Sequence, residues 1–207
     1  MKTFLTILGV LVLVLVLVVV LAIVFTPWMN RWHTTAEERA AAFPGDDLVK
    51  APKLLINRGV TIKAAPEKIY PWLLQIGADK AGMYSYTALE RLTGCKMAKD
   101  EVIRAEWQSL KEGDLMKMCA GEFAPPPYIV ARLIPNEAVI FGHKDGDAWA
   151  ETWQFVLLPQ ADGSTRLVTR TSTTMVGGAW EVFNRIAFVM ERKMLRTIKS
   201  LAETGHR

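Results

Sequence analysis

An imidazole, a phenol and a carboxylate, at His143, Tyr84 and Glu151, are the side chains of this sequence best suited to moving a proton without a metal. General acid–base chemistry of a cyclase or dehydratase kind needs such a group within hydrogen-bond reach of an acidic carbon or a carbonyl oxygen. Arg132 is a further candidate, with Asp114 and Arg170 behind it. Each has a plainer reading. His143 lies in "FGHKDGD", whose Gly and Asp content marks a strand end or turn, where a histidine is solvated. Arg132 and Arg170 fall on strands, and on a sheet with one wet face arginines point outward. No nucleophile elbow, phosphate loop or paired-carboxylate motif accompanies them. No catalytic residue is therefore assigned, and binding is favoured over turnover.

A second set is apolar: Trp72, Tyr84, Tyr86, Trp107, Met116, Met118, Trp153, Phe155, Phe183, Met190 and Met194. Aromatic and thioether side chains with a few polar handles suit a pocket for a hydrophobic molecule, and methionine adapts to irregular shapes. The same residues would serve as ordinary core. In "GMYSY", Gly82 permits a turn and two phenols flank Ser85, which could orient a ligand or simply cap a helix.

The elements that must position these groups follow from periodicity. Phe4 to Phe25 is an uncharged run of 22 residues, roughly 33 Å as a helix, against a hydrocarbon core of about 30 Å. It is longer than a signal-peptide core and ends in "VFTPWMNRW" rather than at a small-residue cleavage site, so an uncleaved single-pass anchor over residues 1–30 is expected. Trp28 and Trp32 would sit at headgroup level. Lys2 precedes the run and Arg31 follows it, while Arg39 is offset by Glu37 and Glu38. That balance leans towards a cytoplasmic amino terminus, with the globular part on the other side of the cell membrane.

Residues 31–56, punctuated by Pro44, Gly45 and Pro52, read as a connecting segment with a short helix near 36–42. Residues 57–207 read as one domain. Val60 and Ile62 alternate into a strand, and Pro66 opens a helix that Pro71 should kink or restart. A short helix follows over 85–92, ended by Gly94. From residue 100 the period approaches two in "EGDLMKMC", "YIVARLIP", "EAVIFGHK", "ETWQFVLLP" and "TRLVTRTST", which predicts an antiparallel meander. Glu151, Trp153, Phe155 and Leu157 share one face of their strand, and Thr152, Gln154, Val156 and Leu158 the other. Over 182–203, Phe183, Ile186, Ala187, Met190, Met194, Ile198 and Leu201 form an apolar helical stripe. Arg185, Glu191, Arg192, Lys193, Arg196 and Lys199 lie opposite. The plan is α+β, with a curved sheet that only this last helix is long enough to cover.

A formal charge of +4 suits a solvated surface or anionic headgroups beside an anchor. Without a recognisable binding module it does not indicate nucleic acid. Cys95, Cys119, His33, His143 and His206 give no metal-ligand spacing, and neither a metal nor a cofactor is expected. The two cysteines are either a disulfide of an exported domain or two buried thiols. Nothing in the sequence specifies a protein partner.

The pieces "WHTTAEERAAAFPGDDLV", "TIKAAPEKIYPWLLQIG", "GMYSYTALERLTG", "IRAEWQSLKEGD", "TWQFVLLPQADGSTRLVTR" and "MERKMLRTIKSLAE" span most of residues 32–203. In them the chain resembles the START-like (SRPBCC, polyketide cyclase-like) superfamily, and within it uncharacterised membrane-anchored bacterial proteins. The resemblance implies a helix-grip fold, a long carboxy-terminal helix across a curved sheet with an apolar cavity between them. It also implies a lipid, quinone or polyketide-like ligand, with the aromatic and methionine set above lining the cavity. A cyclase- or dehydratase-type enzyme and a regulatory or structural membrane protein with a filled core are the alternatives. Fold alone does not choose among them.

Overall fold

The computed structural model describes residues 2–92, 94–121 and 124–205. Helix α1 (Lys2–Met29) carries the uncharged run and continues through Pro27 to Met29. It is long and apolar enough to cross a membrane, and none of its most apolar stretch is covered by the rest of the molecule. A short helix α2 (Ala36–Ala40) follows, opened by a capping box between Thr35 and Glu38.

Six strands form one antiparallel sheet in the order β1-β6-β5-β4-β3-β2. They are β1 (Leu54–Ile62), β2 (Leu115–Met116), β3 (Tyr128–Ile134), β4 (Ala138–Asp145), β5 (Ala148–Pro159) and β6 (Thr165–Thr173). Between β1 and β2 come α3 (Pro66–Leu74), α4 (Thr87–Leu92) and a 3-10 turn (Ala105–Trp107). The chain ends in α5 (Ala179–Thr204). The architecture is thus mixed α+β, a six-stranded antiparallel sheet with a long carboxy-terminal helix and a long apolar helix in front.

Several elements depart from the sequence expectation. β1 starts at Leu54 rather than near Val60, because β6 pairs with it along its whole length from Leu54↔Thr173 to Ile62↔Thr165. The segment expected to be a strand over "EGDLMKMC" shrinks to Leu115–Met116. Cys119 is instead drawn away into a disulfide with Cys95, and Lys96 pairs with Ala120 beside it. Helix α3 runs through Pro71 without a break, the cost being one missing bond in a nine-residue helix.

The inward face of β5 is as expected: Trp153, Phe155 and Leu157 join Trp72, Ile69 and Leu73 of α3 and Leu195 and Ile198 of α5 in the main core. The outward face is not wet. Phe43 packs on Val156 and Val168, and Gly45 donates its N–H to Gln154 Oε1 at 3.2 Å. Three sheet arginines grip α2 and the segment that leads from it to β1. Arg170 reaches Asn57 Oδ1, Asp46 Oδ2 and the carbonyls of Glu38, Arg39 and Ala41. Arg166 forks onto Glu38, and Arg132 forks onto Asp47. Arg132 and Arg170 therefore do point outward, but Arg170 is only 2% exposed because the connecting segment covers it. Residues 36–50 form a second layer on the sheet.

The stripe of α5 that faces the sheet is as expected from Met194 through Ile198 to Leu201, all buried, and departs from the expected one in the first half of the helix. Asn184, Phe188, Glu191, Leu195 and Ile198 are buried, whereas Phe183 and Ile186 are more than half exposed. Spacings of 4, 3, 4 and 3 make the buried set as good a helical stripe as the apolar one. In the first two turns the apolar spacing points to the outward face, while Asn184, Phe188 and Glu191 take the inward one.

Candidate functional site

Glu191, expected on the charged outer face of α5, lies beneath it. Its carboxylate forms a buried ion pair with Arg58 of β1, side chains 2% and 7% exposed, and accepts from Trp153 Nε1 at 3.1 Å. Arg58 also donates to Asn184 Oδ1 at 3.0 Å and to the Met29 carbonyl at 3.1 Å. Nearby, Tyr128 donates to Glu151 Oε1 at 2.5 Å, and Trp180 Nε1 approaches Glu151 Oε2 at 3.4 Å. Burial, then the Glu151 carboxylate and its hydrogen bond, push the Tyr128 phenol far above its ordinary range, so it stays a neutral donor. A polar layer thus runs from β1 through α5 to β3 and β5. Sequence reasoning missed Arg58, Glu191 and Tyr128; the signal for Glu191 was its place in the 184, 188, 191, 195 spacing.

The acid–base candidates divide between two places. His143 pairs across β4 and β5 with Glu151, stacks on Tyr128 at 3.8 Å, and contacts the Pro126 carbonyl through Nε2 at 3.1 Å. Tyr84 belongs elsewhere: its hydroxyl accepts from Gln75 Nε2 at 2.9 Å, and its ring meets Trp72 edge-on. Burial raises that phenol well above its ordinary value. Asp114 is exposed, and Arg132 and Arg170 serve the outer face.

The apolar set is likewise distributed. Met116, Phe155, Trp153 and Met194 are packed in the main core, with Trp107 and Met118 at its margin. Met190 is half-buried, and its carbonyl accepts from Ser85 Oγ at 3.0 Å. Tyr86 is exposed with Lys193 above its ring, and Phe183 is exposed on the side of α5 away from the sheet. Beside Tyr84 and Ser85 is a small pocket of about 70 Å³, bounded by Lys193 and Thr197 of α5.

A larger cleft, about 680 Å³, opens where α1, β1 and the first turns of α5 meet. Ile23, Pro27, Leu54 and Leu55 give it an apolar wall; Arg31 and Arg39 bring positive charge, and Arg185 is ion-paired with Glu181 one turn before it at 3.6 Å. Asn184 joins this cleft to the buried layer, donating to Asn30 Oδ1 at 3.1 Å while accepting from Arg58.

The cleft walls are held by a rigid joint. Asn57 and Gly59 of β1 donate to the carbonyls of Asn30 and Trp32 at 2.8 and 3.0 Å, so the residues after α1 satisfy the free edge of the sheet. Arg185 donates to Thr26 Oγ1 at 3.0 Å, and Trp28 packs on Phe188 at 5.4 Å. The Trp32 ring, 2% exposed, has the guanidinium groups of Arg192 and Arg196 within 5.6 and 5.7 Å. Helix α1 is thereby packed against the sheet edge and α5 rather than joined to them by a free linker.

No family model matches the chain, and no curated protein matches it in sequence. Among solved structures it is similar to a protein from Mesorhizobium loti, at 15% identity over 74% of this chain and 100% of that one, TM-score 0.45. It is also similar to the Aha1 dimer from Colwellia psychrerythraea, at 20% identity over 74% and 99%, TM-score 0.46. A third is a protein of the dynemicin biosynthetic locus, at 10% identity over 72% and 48%, TM-score 0.43.

Proposed function

We propose that this protein is a single-pass, membrane-anchored helix-grip domain of the START-like type that binds a lipid-like amphiphile. Binding takes place at the cleft between α1, the edge of the sheet and the start of α5. The observation that carries the reading is the lining of that cleft. An apolar wall that begins on the anchor helix itself shares the cleft with Arg31 and Arg39, beside the Arg185–Glu181 ion pair, which suits a molecule with an apolar tail and an anionic or strongly polar head. The reading moves the binding site from beneath α5, where Phe155, Met116 and Leu195 fill the space, to the membrane-side end of the sheet. It is a proposal of binding rather than turnover, since Tyr128, Glu151 and His143 are engaged with one another and with the protein backbone. The Cys95–Cys119 disulfide supports placing the domain in an oxidising compartment outside the cytoplasm.

The test is native mass spectrometry and organic extraction of the full-length protein purified in mild detergent. A stoichiometric amphiphile is expected, and it should be lost in Leu55→Glu, a change at a half-exposed strand end that leaves the core intact. Adduct-free protein that takes up nothing from a panel of phospholipids and quinones would overturn the proposal.

A further inference from the structure

The first half of α5 turns an apolar face outward. Val182, Phe183, Ile186 and Val189, with Met175 and Val176 in the loop before the helix, are 40% to 59% exposed. Farther along that same outward side, Lys193 and Arg196 replace them. The strip therefore changes from apolar to cationic along its length, at about 1.5 Å of rise per residue.

Helix α1 supplies the ruler for this change. Trp180 and Glu181 share the cleft wall with Ile23, Thr26 and Pro27; Arg185 bonds Thr26; Phe188 meets Trp28; Arg192 and Arg196 flank Trp32. The two helices thus rise side by side in the same direction. The start of α5 lies level with the last apolar turns of the anchor, and its cationic turns lie level with Trp32. Trp32 itself is buried, but Trp28, one turn earlier, is 52% exposed, and apolar side chains at acyl depth, an exposed tryptophan at the boundary and arginine or lysine above it is the order of a bilayer interface. A protein partner would not require the change of polarity to fall in step with the anchor.

We propose that the outward face of α5 over Val182–Val189, together with Met175 and Val176, is a second membrane contact. It dips into the headgroup and upper acyl region beside α1, with Lys193 and Arg196 on anionic headgroups. The domain then sits on the bilayer in one fixed orientation. This contact is independent of what the cleft binds, because Val182, Ile186 and Val189 do not line it.

The experiment places a fluorescent probe on Val182→Cys, Ile186→Cys, Val189→Cys or Lys193→Cys of the full-length protein. A control probe is placed on Ala161→Cys, in the β5–β6 turn at the far end of the sheet. Each protein is reconstituted in bilayers of equal parts zwitterionic and anionic phospholipid. The expected result is quenching of the 182, 186 and 189 probes by acyl-chain nitroxides and loss of quenching by aqueous iodide. Lys193 should respond to headgroup nitroxides, and Ala161 to iodide alone. Ile186→Asp, which changes no core contact, should abolish acyl-chain quenching at 182 and 189 while the near-ultraviolet dichroism stays unchanged. Probes at 182, 186 and 189 as open to iodide as that at 161 would overturn the proposal. So would probes shielded from iodide yet untouched by lipid nitroxides, the pattern of a face covered by another protein.

Discussion

Arg58 of β1 and Glu191 of α5 form an ion pair almost wholly removed from water, between the edge strand and the helix that covers it. Each nitrogen of the guanidinium has a partner: Nε donates to the Met29 carbonyl, one Nη to Glu191 and the other to Asn184 Oδ1, while Trp153 donates to the carboxylate. It ties together the joint below α1, the sheet and α5, the three walls of the cleft.

Breaking one side of such a pair leaves a buried charge, which costs about 3–5 kcal/mol. Glu191→Gln should therefore destabilise the domain by that amount, although the amide can still accept from Trp153. Arg58→Met combined with Glu191→Met should recover part of the loss. Recovery stays partial because Trp153 Nε1 and Asn184 Oδ1 lose the partners they have in the pair, at about 1–3 kcal/mol for an orphaned polar group. Denaturant unfolding of Arg58→Met, Glu191→Met and the double variant measures the coupling; strictly additive losses would show that the two charges act separately.

Which parts of this arrangement were legible in the sequence follows from how much each depends on distant chain. The alternation of β5 set its two faces, and Trp153, Phe155 and Leu157 do enter the core. The amphipathic character of α5 was also plain, and Met194, Ile198 and Leu201 are buried as their spacing suggests; the orientation of its first half was not. Phe183 and Ile186 look like core from spacing alone yet are exposed, and Glu191 looks like surface until Arg58 is placed below it. A charged residue is buried by a partner 133 positions away, and local periodicity holds no record of that partner. The covering of the outer sheet face by residues 36–50 was hidden for the same reason: its ties are long-range bonds from Arg132, Arg166 and Arg170 to a polar, Pro- and Gly-punctuated stretch.

The Cys95–Cys119 bond joins residues 24 apart in sequence, enclosing the 3-10 turn and β2. Closing a loop of that size in the unfolded chain stabilises the fold by about 3 kcal/mol on the chain-entropy model. Cys95→Ser with Cys119→Ser should lower the unfolding free energy by roughly that figure and loosen β2 first. Hydrogen exchange over residues 95–119 tests the second part. Equal protection with and without the bond would show that packing alone holds this edge.

Docking of residues 36–50 should weaken in acid. Burial by itself would raise the Glu38 carboxyl, but the Arg166 fork, the Thr35 N–H and the charge of Arg39 together hold it below its ordinary value of 4.5. The Arg132 fork likewise holds Asp47 below 3.8. Both groups have folded values lower than unfolded ones, so their contribution is complete above about pH 4.5 and is lost as pH falls through the lowered values. Exchange of amides 36–50, followed from neutral pH to pH 3, should rise beyond its intrinsic rate only below about pH 4.5, and Arg166→Gln should remove most of that transition. A profile unchanged by Arg166→Gln would rule out this source of acid sensitivity.

Gly82 tests the loop that carries Tyr84. It has φ +84, and a Cβ there would stand 2.2 Å from the Ala98 carbonyl oxygen, which is backbone and cannot rotate aside. That carbonyl lies in the stretch tied back by Ala98 N–H to Ala78 O at 3.1 Å and Asp100 N–H to Ala81 O at 3.2 Å. Gly82→Ala must therefore both strain its own backbone, at about 1–3 kcal/mol, and push the 96–100 stretch away from residues 78–81. The expected outcome is a loss of stability at or above the upper end of that range. Tyr84 should also become more solvated, because the displaced stretch includes Asp100, which with Tyr84 lines the small pocket beside α5. Thermal unfolding and the ultraviolet titration of tyrosine check both parts together. A variant as stable as the parent, with an unchanged tyrosine titration, would show that the 77–82 turn accommodates a side chain without moving its neighbour.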